Sequence, residues 1–170
     1  MNPPIRPRED VEYLWEKLAE GKIDWVVSDH ACCRHETKAA KHALGNIWLA
    51  KSGFGGTEYL LPALVSEGTK RGLSLNRISE LVSSNPAKRF GLNSKGDIAP
   101  GLDADLVLVD PRETWTIRAK DSESTQGYTP FEGLELSAKV KATFLRGALV
   151  CENGNLVGKP RGRYLHRPTS

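Results

Sequence analysis

Sulfur and long apolar stretches are what this sequence has least of. Among 170 residues there are three cysteines and one methionine. The odd cysteine count, with Cys32 and Cys33 adjacent, argues against a disulfide framework and for a reducing compartment, the cytoplasm. No apolar run approaches the ~20 residues that cross a bilayer, so no membrane-spanning helix is expected. The opening Met1-Asn2-Pro3-Pro4 lacks a basic stretch followed by an apolar one, so no signal peptide is expected either. A strong charge of one sign is also missing: the net charge is +3, and the basic residues are scattered except in Lys159-Pro160-Arg161-Gly162-Arg163. Without a basic patch interleaved with aromatics, a nucleic-acid partner is not expected, and the tail reads as solvated.

What is present is the composition of a soluble globular chain, 39% hydrophobic and 26% charged. Val11, Leu14, Trp15 and Leu18 recur at helical spacing behind Asp10, a candidate N-cap, and Gly21 is a natural stop. Ile23-Asp24-Trp25-Val26-Val27 is nearly continuous in apolar character, as a buried parallel strand would be. It ends in Ser28-Asp29-His30, polar groups at the position where α/β barrels carry their chemistry. A long loop runs from Ala31 to Gly56, with a short helix expected around Ala39 to Leu44. Two helices follow, one capped by Thr57 with the face Leu60, Leu61, Leu64 and Val65, the other capped by Ser74 with Leu75, Ile78, Leu81 and Val82. Asn85-Pro86 opens a third that Gly91 ends.

Beyond Leu92 the period changes to that of strands. Asp105 to Val109 and Lys139 to Leu145 read as strands, Arg146-Gly147 turns the chain, and Asn153-Gly154 is a hairpin signal. One buried parallel strand cannot make a sheet, and a complete barrel takes roughly 250 residues. The first half is therefore expected to be a piece of a larger domain or to pair with strands from elsewhere.

Three stretches point the same way: Asn2-Pro3-Pro4-Ile5-Arg6 leading into Ile23 to Ala31; Gly53-Phe54-Gly55-Gly56-Thr57-Glu58 opening an apolar helix; and Asn85-Pro86-Ala87-Lys88-Arg89-Phe90-Gly91-Leu92 leading to Gly96-Asp97-Ile98-Ala99-Pro100-Gly101-Leu102-Asp103-Ala104-Asp105-Leu106-Val107. With Tyr128-Thr129-Pro130-Phe131-Glu132-Gly133, they resemble the cyclic amidohydrolase group: dihydroorotases, hydantoinases and dihydropyrimidinases, and allantoinases. The resemblance covers nearly the whole chain. It implies an α/β fold: the C-terminal portion of a (β/α)8 TIM barrel over residues 1–92, strands of a small composite β-sandwich over 93–160, and a tail at 161–170. It also implies a hydrolase that opens a cyclic amide ring with metal-activated water, using one or two zinc ions. Of the family's ligand set only the aspartate is matched, by Asp29. There is no His-x-His pair, and His30, His35, His42 and His166 do not match the other ligand positions. The zinc is therefore not expected to be held by this chain alone, and the isolated chain is expected to be inactive.

Asp29 is the expected metal ligand and catalytic carboxylate. His30 is read as a packing histidine that orients its neighbour. Asp29, His30, Cys32, Cys33 and His35 are dense in potential ligands but lack the Cys-x-x-Cys spacing of a local zinc site. Asn2 matches a substrate-contacting position of dihydroorotases, and its amide offers both a donor and an acceptor. Ser52 and Gly53 match the loop whose backbone holds the ring, where a missing Cβ permits close approach. Cys32-Cys33 stand where dihydroorotases have Pro-His, so Cys33 is expected to line the pocket instead. The partners implied are a small cyclic amide, the missing N-terminal barrel half in cis or in trans, and a second copy in a homo-oligomer. The alternative is a non-catalytic module, or one half of a split enzyme.

Overall fold

The computed structural model describes residues 4–38 and 45–167. The helix expected at Ala39 to Leu44, His42 within it, and the candidate Asn2 lie outside the described residues. Helices come first: α1 (Arg8–Ala19), α2 (His35–Lys38), α3 (Leu60–Lys70), α4 (Leu75–Ser79) and α5 (Asn85–Phe90). Strands follow: β1 (Leu106–Asp110), β2 (Trp115–Thr116), β3 (Glu135–Leu136), β4 (Lys139–Leu145), β5 (Ala148–Glu152) and β6 (Asn155–Leu156). None of the described helices is long and apolar enough to cross a membrane.

Helix α1 starts earlier than its cap signal suggests. Pro7, extended at φ −63° and ψ 164°, occupies the N-cap position, so Glu9 and Asp10 fall in the first turn. There their charge complements the positive end of the helix. Of the expected apolar face, Leu18 is buried and Trp15 half-buried, while Val11 and Leu14 stay exposed. Thr57 does not cap α3. The chain enters through a 3-10 turn, Thr57–Tyr59, where His30 accepts from the N–H of Thr57 and of Gly56 just before it, as described below. Ser74 does cap α4, its Oγ accepting from Arg77 N at 3.1 Å, and Gly91 ends α5 at φ 67°.

Between α4 and α5 the helix does not stop at Asn85-Pro86 but widens into a π turn, Glu80–Ser84. Asn85 N donates to the Glu80 carbonyl, five residues back. In that register the next donor, for the Leu81 carbonyl, would be Pro86, which has no N–H. The Leu81 carbonyl is thus left over inside a continuous helical rod. It accepts from Val26 N at 3.1 Å.

That bond holds the segment expected to be a buried strand, Ile23 to Val27. Among the described residues it pairs with no strand, because a β-ladder needs a neighbour and the sheets contain none for it. Helical groups take over its backbone: Arg77 donates to the Ile23 carbonyl at 2.8 Å and Asn85 Nδ2 to the Asp24 carbonyl at 2.8 Å. The side chains still alternate as on a strand. Val26 packs into the core, and Ser28 and His30 turn toward the approach to α3. Trp25 and Val26 do not stand open: both are half-buried, and Trp25 meets Phe90 edge to face at 6.1 Å. Val27, 65% exposed, carries the open apolar face instead.

The second half is a small β unit, as its pattern suggests. An antiparallel sheet runs β1-β4-β5-β6, and β2 pairs with β3. The two hairpin turns have positive φ at both positions, Arg146 and Gly147 at 48° and 76°, Asn153 and Gly154 at 48° and 83°. These are the signs that a two-residue turn between right-twisted strands requires. On β4, Lys139 and Lys141 share a face and both grip Glu113 at 2.9 Å. The halves share a core in which Leu18, Leu64, Val65, Leu73, Ile78 and Leu81 meet Ala138. A second cluster joins Tyr59 to Ile117 and Leu136. Lys95, on the loop after α5, bridges Asp103 (2.8 Å) and Asp105, and Asp105 accepts from Arg146 N at the β4–β5 turn at 2.7 Å.

Leu81 is fully buried where the helices, the extended segment and Ala138 converge. Leu81→Ala should cost about 2–5 kcal/mol, the range for a buried leucine that leaves a cavity, read as a lowered denaturation midpoint with an unchanged m-value.

Candidate active site

Asp29 stands at the end of the extended segment with φ +46°, a left-handed conformation that costs most residues on the order of 1–2 kcal/mol and that Asp tolerates better than most. Its surroundings have to hold it there. On the side before it lie the helical bonds to Ile23, Asp24 and Val26. On the side after it, Ala31 N donates to the Phe54 carbonyl at 2.9 Å, and Ser28 Oγ lies 3.2 Å from Thr57 Oγ1. Asp29 itself is exposed, and among the described residues its carboxylate has no hydrogen-bond or ion-pair partner.

His30 turns the opposite way from Asp29. Its Nδ1 accepts from Gly56 N at 3.1 Å and Thr57 N at 3.3 Å. A nitrogen that accepts twice carries no proton, so this arrangement assigns the hydrogen to Nε2. His30 therefore acts as the cap that Thr57 does not supply, and it ties the residue after Asp29 to the loop before α3.

That loop carries two more of the candidates. Ser52 is exposed and Gly53 is buried at φ +89°. A Cβ on Gly53 would stand 2.4 Å from the Ala31 Cβ, so no larger residue fits without moving the Asp29 segment. Lys38 donates to the Gly53 carbonyl and sits 4.1 Å above the Phe54 ring and 5.6 Å from the Tyr128 ring. Cys33 does not face open space: its Sγ lies 3.9 Å from the Tyr128 hydroxyl, while Cys32 Sγ lies 3.3 Å from Ser124 Oγ. Between them Gln126, buried, accepts from Gly55 N at 2.9 Å. Asp29, Cys33 and Gly53 are thus brought together by one joint of three segments, residues 28–33, 53–57 and 124–128.

Sequence reasoning missed Gln126, Lys38 and the cap role of His30. Tyr128 stood in a quoted motif but had no assigned role; Gln126 carries no signal apart from its position two residues earlier. Beside Val27 and Asp29 lies a cavity of about 430 Å³, walled by Trp15, Phe54, Tyr59, Leu60 and Phe131. A larger hollow of about 660 Å³ opens under α4 and α5 among Asn76, Glu80, Asn85 and Lys95. None of the expected site residues lines it, and of them only Asp29 lines the smaller one, together with Val26, Leu18 and Leu64 of the core. Among the described residues no three His, Cys, Asp or Glu side chains converge on a point where a metal ion could sit. The free carboxylate of Asp29 suits one ligand of a larger set.

Burial, and next the sulfur of Cys33, push the Tyr128 hydroxyl up to about 12. A folded-state pKa above the unfolded one means the favourable contribution is whole below pH 10 and is lost as pH rises through about 12. A spectrophotometric titration should show one tyrosine ionising near 12, absent in Tyr128→Phe, with stability falling over the same interval.

Comparison with known proteins bears on this arrangement. A family model described as "Amidohydrolase family" matches residues 5–150. An allantoinase from Rubrobacter xylanophilus is 42% identical over 96% of this chain and 35% of its own length, and one from Salmonella newport is 38% identical over 96% and 36%. Among solved structures, a D-hydantoinase (dihydropyrimidinase) from Thermus sp. matches with a TM-score of 0.86 at 35% identity, covering 94% of this chain and 35% of that one. An L-hydantoinase (dihydropyrimidinase) from Arthrobacter aurescens gives 0.82 at 34%, covering 92% and 35%. The chain spans about a third of the length of these relatives. On the matched motifs and the shared fold, it belongs to the amidohydrolase family, within the group of cyclic amide hydrolases.

Proposed function

We propose that this chain supplies the catalytic carboxylate and part of the substrate loop of a hydrolase that opens a cyclic amide ring of the allantoin and hydantoin class. One observation carries the reading: Asp29 is held in a left-handed conformation and exposed, and among the described residues its carboxylate has no partner and the extended segment before it has no strand beside it. In this reading residues 1–92 are the C-terminal part of a (β/α)8 barrel, with Val27 and Asp29 on its inner face and α1 and α3 outside. Residues 93–160 form part of a β-sandwich and 161–170 a tail. Further barrel strands, in cis or in trans, would pair along the backbone edges that the helices leave free and so enclose the bare face bearing Val27.

Opening an amide requires a proton to leave the attacking water and reach the departing nitrogen. Asp29 can carry that proton, since no neighbour neutralises it and its backbone is fixed on both sides. Zinc, once bound, would supply hydroxide at neutral pH. Asp29 would be one of its ligands, the others coming from outside this chain. Gly53, pressed against Ala31, and Ser52 bring backbone next to the reacting group; Cys33 lines the joint behind them, and Asn2 belongs to the same substrate set. A homo-oligomer and a cytoplasmic setting complete the reading.

The chain alone should not open dihydroorotate, hydantoin, dihydrouracil or allantoin. Joined to or mixed with the remaining barrel strands, it should open at least one of them, and Asp29→Asn should then lower kcat about a hundredfold or more with little change in KM. Full turnover by the chain alone would refute the need for further strands. An undiminished kcat in the Asn variant would remove Asp29 from the chemistry.

A further inference from the structure

The rod formed by α4, the π turn and α5 makes an unusual connection. Its Leu81 carbonyl is released because the residue five places on is Pro86, and it accepts from Val26 N at 3.1 Å. One residue before that proline, Asn85 sends its side-chain amide to the Asp24 carbonyl at 2.8 Å. A turn earlier, Arg77 donates to the Ile23 carbonyl at 2.8 Å and is itself held by Glu80 at 2.9 Å. Three groups of one rod thus fasten three successive parts of the backbone that leads to Asp29.

Each group suits this task chemically. A carbonyl inside a regular α-helix already has its N–H partner and offers a neighbouring segment only its second lone pair, whereas the Leu81 carbonyl is free to aim at Val26 N. Proline alone among the residues removes that partner without adding a polar atom. Asn85 can donate to a carbonyl; an aspartate of the same shape cannot. The hold is on the backbone, so it is independent of which side chains Trp25 and Val27 present.

We infer that Asn85 and Pro86 are positioning residues for Asp29: the proline frees the Leu81 carbonyl, the asparagine adds a second bond, and together they set where the Asp29 carboxylate stands. Neither touches the reacting atoms. The inference rests on the proposed role of Asp29 for its catalytic consequence, but not for its structural one. Pro86→Ala restores an N–H that competes for the Leu81 carbonyl. Asn85→Asp keeps the shape and sets an oxygen against the Asp24 carbonyl.

The test measures amide exchange at Val26 and the backbone coupling of Asp29 by NMR in the full chain. It measures kcat and KM in the assembled enzyme. Leu136→Ala, in the separate cluster with Ile117, serves as the control for general loss of stability. Pro86→Ala and Asn85→Asp should each speed Val26 exchange and lower kcat by about tenfold or more, with KM near its starting value, because a small misplacement of a reacting group is costly. Asn85→Gln, which keeps the donor, should recover part of the rate. The control should move neither Val26 relative to the helix amides nor kcat. Should Pro86→Ala fail to fold, the two Asn85 variants decide by the same readouts. Unchanged Val26 exchange in the variants, or faster exchange with kcat intact, overturns the inference. If the assembled wild-type protein opens no cyclic amide, the functional reading fails by itself. Positioning is then judged by Asp29: an altered coupling in the variants supports it and an unaltered one overturns it.

Discussion

The bond between Val26 N and the Leu81 carbonyl is the constraint on which the rest of this molecule turns. An extended segment that buries one face has backbone donors and acceptors that must be satisfied, and the usual solution is a flanking strand. None stands beside Ile23 to Val27 among the described residues. The helices supply the partners instead, through Leu81, Asn85 and Arg77. With the backbone pinned, Val26 can join Leu18, Leu64 and Leu81 in the core while Val27 and Asp29 point the other way. The apolar packing and the exposure of the carboxylate are two results of the same registration.

Beyond Asp29 the construction changes from helical bonds to a joint of loops. His30 caps the turn at Gly56 and Thr57, Gly53 makes room for Ala31, and Gln126 holds Gly55 from the strand-bearing half. The bend at Asp29 falls between these two fixed regions. A left-handed aspartate is unfavourable, and it persists because both flanks are set independently of it. The loop from the second half therefore belongs to the site as much as the segment that carries the carboxylate. The two halves are thus joined by this loop as well as by the core they share.

Much of this was legible in the residues. Leu60, Leu64 and Val65 announce α3, Ser74 its successor, and Asn153-Gly154 the last hairpin, because each depends on local periodicity or turn chemistry. Asp29 is singled out by its place after an apolar run and by the motif around it, and its role stands as a proposal. What escaped was non-local. Ile23 to Val27 has the composition of a strand, but a strand is defined by its neighbour, and none stands beside it among the described residues. Asn85-Pro86 signals a helix start, and it took the carbonyl of Leu81 to reveal a π turn. The 3-10 turn that leads into α3 is held by a histidine 27 residues before Thr57, beyond any local window. Gln126 has nothing in its own vicinity to distinguish it.

Lys95 has a bearing on how the molecule would come apart in acid. The Lys95 ammonium, with the Ser94 hydroxyl, holds the Asp103 carboxyl below its ordinary value of 3.8. For Asp105 burial pulls upward and is outweighed by Lys95 and the Arg146 N–H. A depressed folded-state pKa gives a contribution that is complete above the ordinary value and drains away as pH falls through the lower one. These two carboxylates fasten the loop after α5 to the β4–β5 turn, so strong acid dissolves that fastening while the leucines beneath are untouched. Both ends of that fastening lie in the stranded half, so acid frees the entry to β1 from the β4–β5 turn while the core that joins Leu18, Leu64 and Leu81 to Ala138 keeps the two halves together.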